Sequence, residues 1–358
     1  MQKHENSQDF FTRLEQALKN ENFIALCERR KNENPFFEQE LMIAEKIAMI
    51  DIEDYSTRED LIYLTQPFTK PECELGVLSF FEMIDNLAPN GINFTQTVLD
   101  NKQYFRYQIG RGSRPYCCLR ILKDGSELKE IFCLFEGRVG DIGNAIHEFT
   151  HSLSKTFLFC EGRKDFRISE LATVITDHLS NFHLQSMFPS LSENFNENSI
   201  SQLLMLVAKA RETLIEGLLM KVALGEETLE NIKQNYSQLF NSKLMEKELS
   251  NIQTSIKVLE NPEYELEKNE SHFAFMFESK YLIPTIAATT VLERFKTNPE
   301  AVATQLKNLV EHDHEWTLEQ GLENFSLPNK FDLVDNFVDN FHNNMSLLIP
   351  QKNIHNLN

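Results

Sequence analysis

The scarcity of glycine and proline is the feature that most constrains the fold of this chain. Its 358 residues include 12 glycines and 11 prolines, about half the usual share of these two residue types. Both residues interrupt helices and supply the tight turns of β-rich folds, so a chain with few of them has room for long helices. Apolar residues also recur every three or four positions in FFTRLEQALKNENFIALCERR and FFEQELMIAEKIAMI. We therefore expect a mainly helical protein.

Composition excludes several classes of partner. The net charge of −19 argues against nucleic acid, because a phosphate backbone is bound by a positive surface. No apolar run approaches the length that spans a membrane, so we expect no membrane partner. The start, MQKHENSQDFF, lacks the features of a signal peptide, which makes the cytoplasm the default location, although signal-independent export would leave no recognisable trace. The six cysteines show no CxxC spacing, which argues against a thiolate metal site.

Periodicity divides the chain into three parts. Residues 1–100 show a helical pattern and are predicted to form an N-terminal helical region. Between 103 and 136 the period approaches two, and KDGS supplies a turn, so we expect a small antiparallel sheet there. The helical pattern then resumes, with predicted helices at 141–158 and 166–186. We assign 101–340 to one domain and 341–358 to a tail.

The segment GDIGNAIHEFTHSLSKTF, residues 140–157, carries the strongest functional signal. Residues four apart share one face of a helix, so His147 and His151 can direct two imidazoles at one zinc ion. Glu148 would lie beside them, within reach of a zinc-bound water. The apolar Ile142, Ile146, Phe149, Leu153 and Phe157 would be buried on other faces. The alternative is an amphipathic helix in which the motif arose by chance.

A catalytic zinc site needs a third protein ligand. Glu170 lies 19 residues after His151, in the helical stretch RISELATVITDHLSNF. Two antiparallel helices could bring this carboxylate to the histidines. The spacing therefore favours a catalytic site over a chance motif.

These residues resemble the thimet oligopeptidase and oligoendopeptidase F family of gluzincin metallopeptidases. HEFTH followed by the glutamate of SELATVITDHL matches the family's two ligand blocks. Residues 271–310 are similar to its C-terminal His/Tyr segment, so the resemblance covers roughly residues 100–330. It implies a helical zincin-like fold and one zinc ion held by His147, His151 and Glu170, with Glu148 as general base. Asp177 would accept a hydrogen bond from a ligand histidine, the alternative being an ordinary solvated helix residue.

The C-terminal segment departs from the family pattern. By resemblance, His272 and Tyr281 would contact substrate and stabilise the oxyanion of the tetrahedral intermediate. The alternative for Tyr281 is a core residue. Phe277 stands where the family has tyrosine, which reduces the expected complement of functional hydroxyls. The chain is also shorter than full members of the family, which implies a more open cleft.

The resemblance implies a zinc-dependent endopeptidase that acts on oligopeptides or extended protein segments. The strand around Ile131 to Phe135 would be an edge that pairs with the substrate backbone. The alternative function is a weak or inactive zincin-fold protein that binds a protein partner through its cleft. No feature of the sequence indicates an oligomeric state.

Overall fold

Helices make up most of the computed structural model, which describes residues 7–53, 55, 57–109, 116–121, 127–153, 167–239, 242–260 and 277–348. The expected mainly helical class is confirmed. The helices are α1 (Ser7–Leu18), α2 (Glu21–Glu33), α3 (Phe37–Ala48), α4 (Glu59–Ile62), α5 (Lys70–Leu87), α6 (Phe94–Asn101), α7 (Asp141–Leu153), α8 (Arg167–Met187), α9 (Ser192–Ala223), α10 (Leu229–Asn235), α11 (Ser242–Glu260), α12 (Leu282–Thr297), α13 (Pro299–His312), α14 (Leu318–Asn324) and α15 (Lys330–Leu348). Three strands are described: β1 (Phe105–Ile109), β2 (Tyr116–Ile121) and β3 (Glu127–Phe135).

Several helices begin at residues that satisfy the free amides of the first turn. Thr69 and Glu72 form a reciprocal capping box at the start of α5, and Thr317 and Gln320 form another at α14. Asn298 accepts a hydrogen bond from the third residue of α13, which has proline at its first position. Local sequence therefore sets where these helices start.

The chain divides into two compact units. The first consists of Met1–Met49 and Val207–Ser279, and the second of Ile50–Leu206 and Lys280–Asn358. Helix α9 runs from the second unit into the first. The predicted boundary near residue 100 stays a prediction.

The first unit is helical in its described part. Helices α1 and α2 pack against α11, and Phe23, Leu26 and Cys27 are buried on α2. Polar contacts add to this core at its edge: the Tyr236 hydroxyl donates to Glu45 Oε1 at 2.6 Å. Burial of these apolar side chains supplies the main stabilisation of the unit.

The second unit is built around α8. This helix packs against both α7 and α12. Its residues Leu171, Ile175 and Leu179 are fully buried. The sheet covers α7 through β3, with the rings of Phe105 and Phe149 centred 5.3 Å apart. The arrangement holds α7 and α8 side by side in the interior of the unit.

The strand order of the sheet is β1-β3-β2. Strands β2 and β3 pair antiparallel, as expected, but β1 runs parallel to β3, so the sheet is mixed. The central position goes to β3 because it carries the buried residues Ile131, Cys133 and Phe135. The expectation that Ile131 to Phe135 form an edge strand is wrong, because β3 is the central strand: β1 pairs on one side along Ile131 to Phe135, and β2 pairs on the other side along Glu127 to Phe132.

Two further expectations concern membranes and cysteines. Within the described residues, no helix has both the length and the apolar character needed to cross a bilayer. Cys27, Cys73 and Cys133 are buried free thiols, and Cys117 is partly buried. Burial raises the pKa of the Cys27 thiol to about 12, which leaves it unreactive at neutral pH.

Candidate metal centre

The start of α7 is set by a turn that follows β3. Gly137 has a φ of +83°, a left-handed conformation that glycine adopts without the penalty that other residues carry. The amides of Gly137 and Arg138 both donate to Asp141 Oδ2 at 3.0 Å. Burial raises the pKa of Asp141 to about 6 despite these bonds. This turn joins the sheet directly to the helix that bears the two histidines.

Helix α7 separates an apolar side from its histidine side. Ile142, Ile146, Phe149 and Leu153 are buried, as the periodicity predicts, while Phe157 lies outside the described residues. His147 and His151 are partly exposed, with side-chain exposures of 15% and 24%. Their ring centroids lie 4.9 Å apart. Two imidazoles one turn apart thus line one accessible face.

Helix α8 brings the third residue to the same face. Thr150 on α7 and Thr176 on α8 form a buried hydroxyl–hydroxyl hydrogen bond of 3.0 Å, which ties the two helices together. Glu170, in the first turn of α8, is 5% exposed. Its Oε2 lies 3.7 Å from the Nε2 atoms of both His147 and His151. The tertiary packing therefore assembles the trio from two separate helices.

These three side chains could hold a metal ion. One ligand atom from each lies within 4.8 Å of the others. Two imidazole nitrogens and one carboxylate oxygen are donors that suit zinc in a catalytic site, where three protein ligands leave a position open. The residues present thus fit the metal that the resemblance implies.

A hydrogen bond to Asp177 fixes which nitrogen of His147 faces His151 and Glu170. His147 Nδ1 lies 2.8 Å from Asp177 Oδ2. A carboxylate only accepts, so Nδ1 carries a proton, and Nε2 is the ring nitrogen left to face the trio as a metal ligand. Burial lowers the pKa of His147, but negative charge, above all that of Asp177, outweighs burial and raises this pKa to about 9. Asp177 therefore orients His147.

Glu148 and Glu170 sit in contrasting electrostatic environments. Burial raises the pKa of Glu148 to about 7, the range in which a carboxylate can both accept and return a proton near neutral pH. Burial also raises the pKa of Glu170, but the positive charges of His151 and Lys280 outweigh it, and the pKa falls to about 2. One carboxylate is suited to proton transfer and the other remains an anion.

Lys280 is a residue of this site that sequence reasoning missed. Its Nζ lies 2.7 Å from Glu170 Oε1. The same nitrogen lies 4.7 Å from the centroid of the Tyr281 ring. A single lysine belongs to no spaced motif, so its position beside Tyr281 was the only signal in the sequence that could have identified it.

The predicted substrate-side residues have different outcomes. Tyr281 is partly buried at the end of a 3-10 turn, Phe277–Tyr281, just before α12, and its ring faces the lysine that contacts Glu170. His272 lies outside the described residues. The side chain of Phe277 also lies outside the described part of the chain, so the expectation about this residue stays a prediction.

Three other histidines of the second unit have surroundings of their own: His178, His183 and His312. His178 is buried and lines a separate cavity of about 570 Å³, and burial lowers its pKa to about 4. His183 Nε2 lies 3.0 Å from Ser79 Oγ. His312 stacks on Trp316 with ring centroids 5.1 Å apart. The contacts with Ser79 and Trp316 account for His183 and His312 as structural residues.

Comparison with solved structures identifies two similar folds. One is a protein from Bacillus anthracis str. Ames assigned as an oligoendopeptidase F, with a TM-score of 0.50 and 14% sequence identity over 97% of this chain. The chain has a peptidase-like fold. The second, from Chlamydophila abortus and assigned as a peptidase, has a TM-score of 0.46 and 15% identity over 94% of this chain. The chain spans 57% of the length of each. No family model and no curated protein sequence matches it.

Proposed function

We propose that the chain is a zinc-dependent endopeptidase that hydrolyses peptide bonds in oligopeptides or extended protein segments. The observation that carries this proposal is the assembly of His147, His151 and Glu170 within 4.8 Å, beside the buried Glu148. The helical fold shared with a structure assigned as an oligoendopeptidase F supports the same conclusion. His147, His151 and Glu170 would hold one zinc ion per chain.

The catalytic roles follow from the chemistry of each group. Bound zinc would polarise the scissile carbonyl and lower the pKa of its water. Glu148 accepts the proton of the attacking water and passes it to the leaving amine, and its raised pKa suits both transfers. Asp177 holds the His147 ring through Nδ1. Tyr281 would donate a hydrogen bond from its hydroxyl to the developing oxyanion, and His272, which lies outside the described residues, would donate one from its imidazole.

The net charge of the chain indicates the class of substrate, and the water nucleophile of the proposed mechanism predicts the form of the kinetics. A net charge of −19 favours neutral or basic peptides over acidic ones. Water is the nucleophile, so no acyl-enzyme accumulates. Cleavage would therefore be seen without a burst phase.

The decisive experiment is metal analysis combined with a peptide-library digest of wild type and Glu148→Gln. We expect close to one equivalent of zinc in both proteins, and a loss of at least about a hundredfold in cleavage rate for the variant. Glu300→Gln, on the exposed surface of α13, is the matched control and should cleave as wild type does. Zinc-free protein, or equal cleavage by Glu148→Gln, would refute the mechanism.

A non-catalytic protein that binds a partner through the same face is the second candidate. The contact between Lys280 Nζ and Glu170 Oε1 at 2.7 Å favours it, because a cation already neutralises one presumed ligand. A protein that binds no zinc but captures peptides would support this candidate and exclude the peptidase.

A further inference from the structure

The two carboxylate oxygens of Glu170 face different partners. Oε2 lies 3.7 Å from Nε2 of His147 and from Nε2 of His151. Oε1 lies 2.7 Å from Lys280 Nζ. The Glu170 side chain is 6% exposed and that of Lys280 is 20% exposed, so water competes little for this pair. One oxygen is thus directed toward the imidazoles and the other is held by a cation.

We propose that Lys280 is a positioning residue that presents Glu170 as a one-oxygen ligand. The inference rests on the proposed metal function. The ammonium group holds Oε1, and this leaves Oε2 as the oxygen that completes the set with His147 and His151. Lys280 lies on the 3-10 turn that ends at Tyr281, so the same segment orients a ligand and carries a presumed substrate contact.

Thr173 is another polar neighbour of Glu170, and it contributes little to the orientation of the carboxylate. Thr173 Oγ1 lies 3.5 Å from Glu170 Oε2 and 3.1 Å from the Glu170 carbonyl oxygen. The longer contact is too weak to orient a carboxylate, and the hydroxyl donates to the backbone instead. Lys280 supplies the short, charge-assisted hydrogen bond that sets the carboxylate rotation.

Removal of Lys280 has two opposing effects on metal affinity, one from its charge and one from its hydrogen bond to Glu170. A positive charge beside a ligand repels a metal cation, so charge alone predicts that removing Lys280 tightens metal binding. A positioning role predicts weaker metal binding instead. Without the lysine, the buried Glu170 carboxylate would turn toward other donors, and Oε2 would no longer point at the imidazoles. Removal of groups that hold metal ligands typically costs about 10- to 100-fold in metal affinity. The direction of the change therefore separates the two roles.

The experiment measures zinc affinity by chelator competition in wild type, Lys280→Met and Lys280→Arg. We expect Lys280→Met to bind zinc about 10- to 100-fold more weakly, and Lys280→Arg to keep affinity close to wild type, since guanidinium can hold the same oxygen. Lys296→Met is the matched control: Lys296 pairs with Glu293 at 2.6 Å on the exposed surface of α12, and its loss removes the same net charge. It should leave zinc affinity unchanged.

The outcomes separate this inference from the proposed function. If wild type binds no zinc, the proposed function fails and Lys280 has no metal-directed role. If wild type binds zinc and Lys280→Met binds it equally or more tightly, the proposed function stands and the positioning role is overturned. Circular dichroism and melting of the metal-free proteins check folding. Should Lys280→Met not fold, Lys280→Gln decides by the same measurement, with weaker binding supporting the proposal and unchanged binding overturning it.

Discussion

His147 shows how the chemistry of one residue depends on partners from another helix. Its position in HEFTH indicates a ligand, but a ligand also needs the correct nitrogen free. Asp177, on α8, accepts from Nδ1 at 2.8 Å and so leaves Nε2 facing Glu170. The sequence offered Asp177 as either such an acceptor or a solvated residue. The contact with His147 distinguishes these alternatives, since the side chain is only 21% exposed.

Replacement of Asp177 tests this orientation. We expect Asp177→Asn to lower zinc affinity by about 10- to 100-fold, because the amide is a weaker acceptor and fixes the histidine tautomer less well. Chelator competition measures the effect. Asp100→Asn, at an exposed site on α6 where Asp100 Oδ1 accepts from Gln96, should behave as wild type. Equal affinity in both variants would show that Asp177 does not support the ligand.

Glu248, in the first unit, gives a pH-dependent prediction. It is fully buried, and its Oε1 has no hydrogen-bond partner among the described residues. Burial raises its pKa to about 7 from the ordinary 4.5. Between these values the folded state binds more protons than the unfolded state, so this group's contribution to stability falls as pH rises from about 4.5 to about 7.

Glu248→Gln removes the titratable carboxyl group and therefore its contribution to the pH dependence of stability. At pH 8 we expect the variant to be more stable than wild type by about 2 kcal/mol, with the difference shrinking toward pH 5. Urea unfolding at the two pH values provides the comparison. Glu246→Gln, exposed on the same helix, should change stability equally little at both. A variant that is less stable than wild type at pH 8 would contradict the prediction.

At the scale of elements, the contact between α14 and α8 depends on close packing at Gly321. Gly321 on α14 faces α8, and a β-carbon there would lie 2.5 Å from Ile168 Cδ1 and 2.8 Å from Leu171 Cδ2. Both side chains are buried and have little room to move. The absence of a side chain at Gly321 therefore allows α14 to approach the start of the helix that carries Glu170.

Gly321→Ala should destabilise the protein by about 1–3 kcal/mol through overpacking. Gly143→Ala is the matched control, since its β-carbon would meet Ser180 Oγ at an ordinary 3.6 Å. That change, inside α7, should be neutral or stabilising by up to about 1 kcal/mol because alanine favours helix. Chemical denaturation of the metal-free proteins measures both. Equal stability of the two variants would mean that α14 can shift without cost.

Element types and element pairing differ in how well the sequence predicts them. The change of period near residue 103 predicted strands, and β1 to β3 lie between Phe105 and Phe135. The period does not encode partners. Periodicity therefore missed the parallel pairing of β1 with β3 and the central place of β3. Both depend on which strand is buried on its two faces.

At the scale of the whole molecule, the candidate ligands belong to one unit. His147, His151 and Glu170 all lie in Ile50–Leu206. The first unit joins Met1–Met49 to Val207–Ser279, two stretches separated by residues 50–206. Metal binding should therefore stabilise the second unit directly, because a ligand stabilises only the state that contains its site.

Hydrogen exchange with and without zinc tests this restriction. At about a hundredfold excess over the dissociation constant, zinc should stabilise the folded site by about 2.7 kcal/mol. We expect slower exchange in α7 and α8, and no change in α1 to α3. Excess chelator should restore the metal-free rates. Protection confined to the first unit would place the metal elsewhere.

The sequence by itself determined the helical class and identified His147, His151 and Glu170 as candidate metal ligands, because these follow from helical spacing and from the chemistry of imidazole and carboxylate. Only the tertiary structure decided the contact of Asp177 with His147, the strand order of the sheet and the presence of Lys280 beside Glu170. Each of these joins residues more than 20 positions apart or elements whose partners no local pattern specifies. Burial and long-range packing, which local periodicity does not encode, determine them.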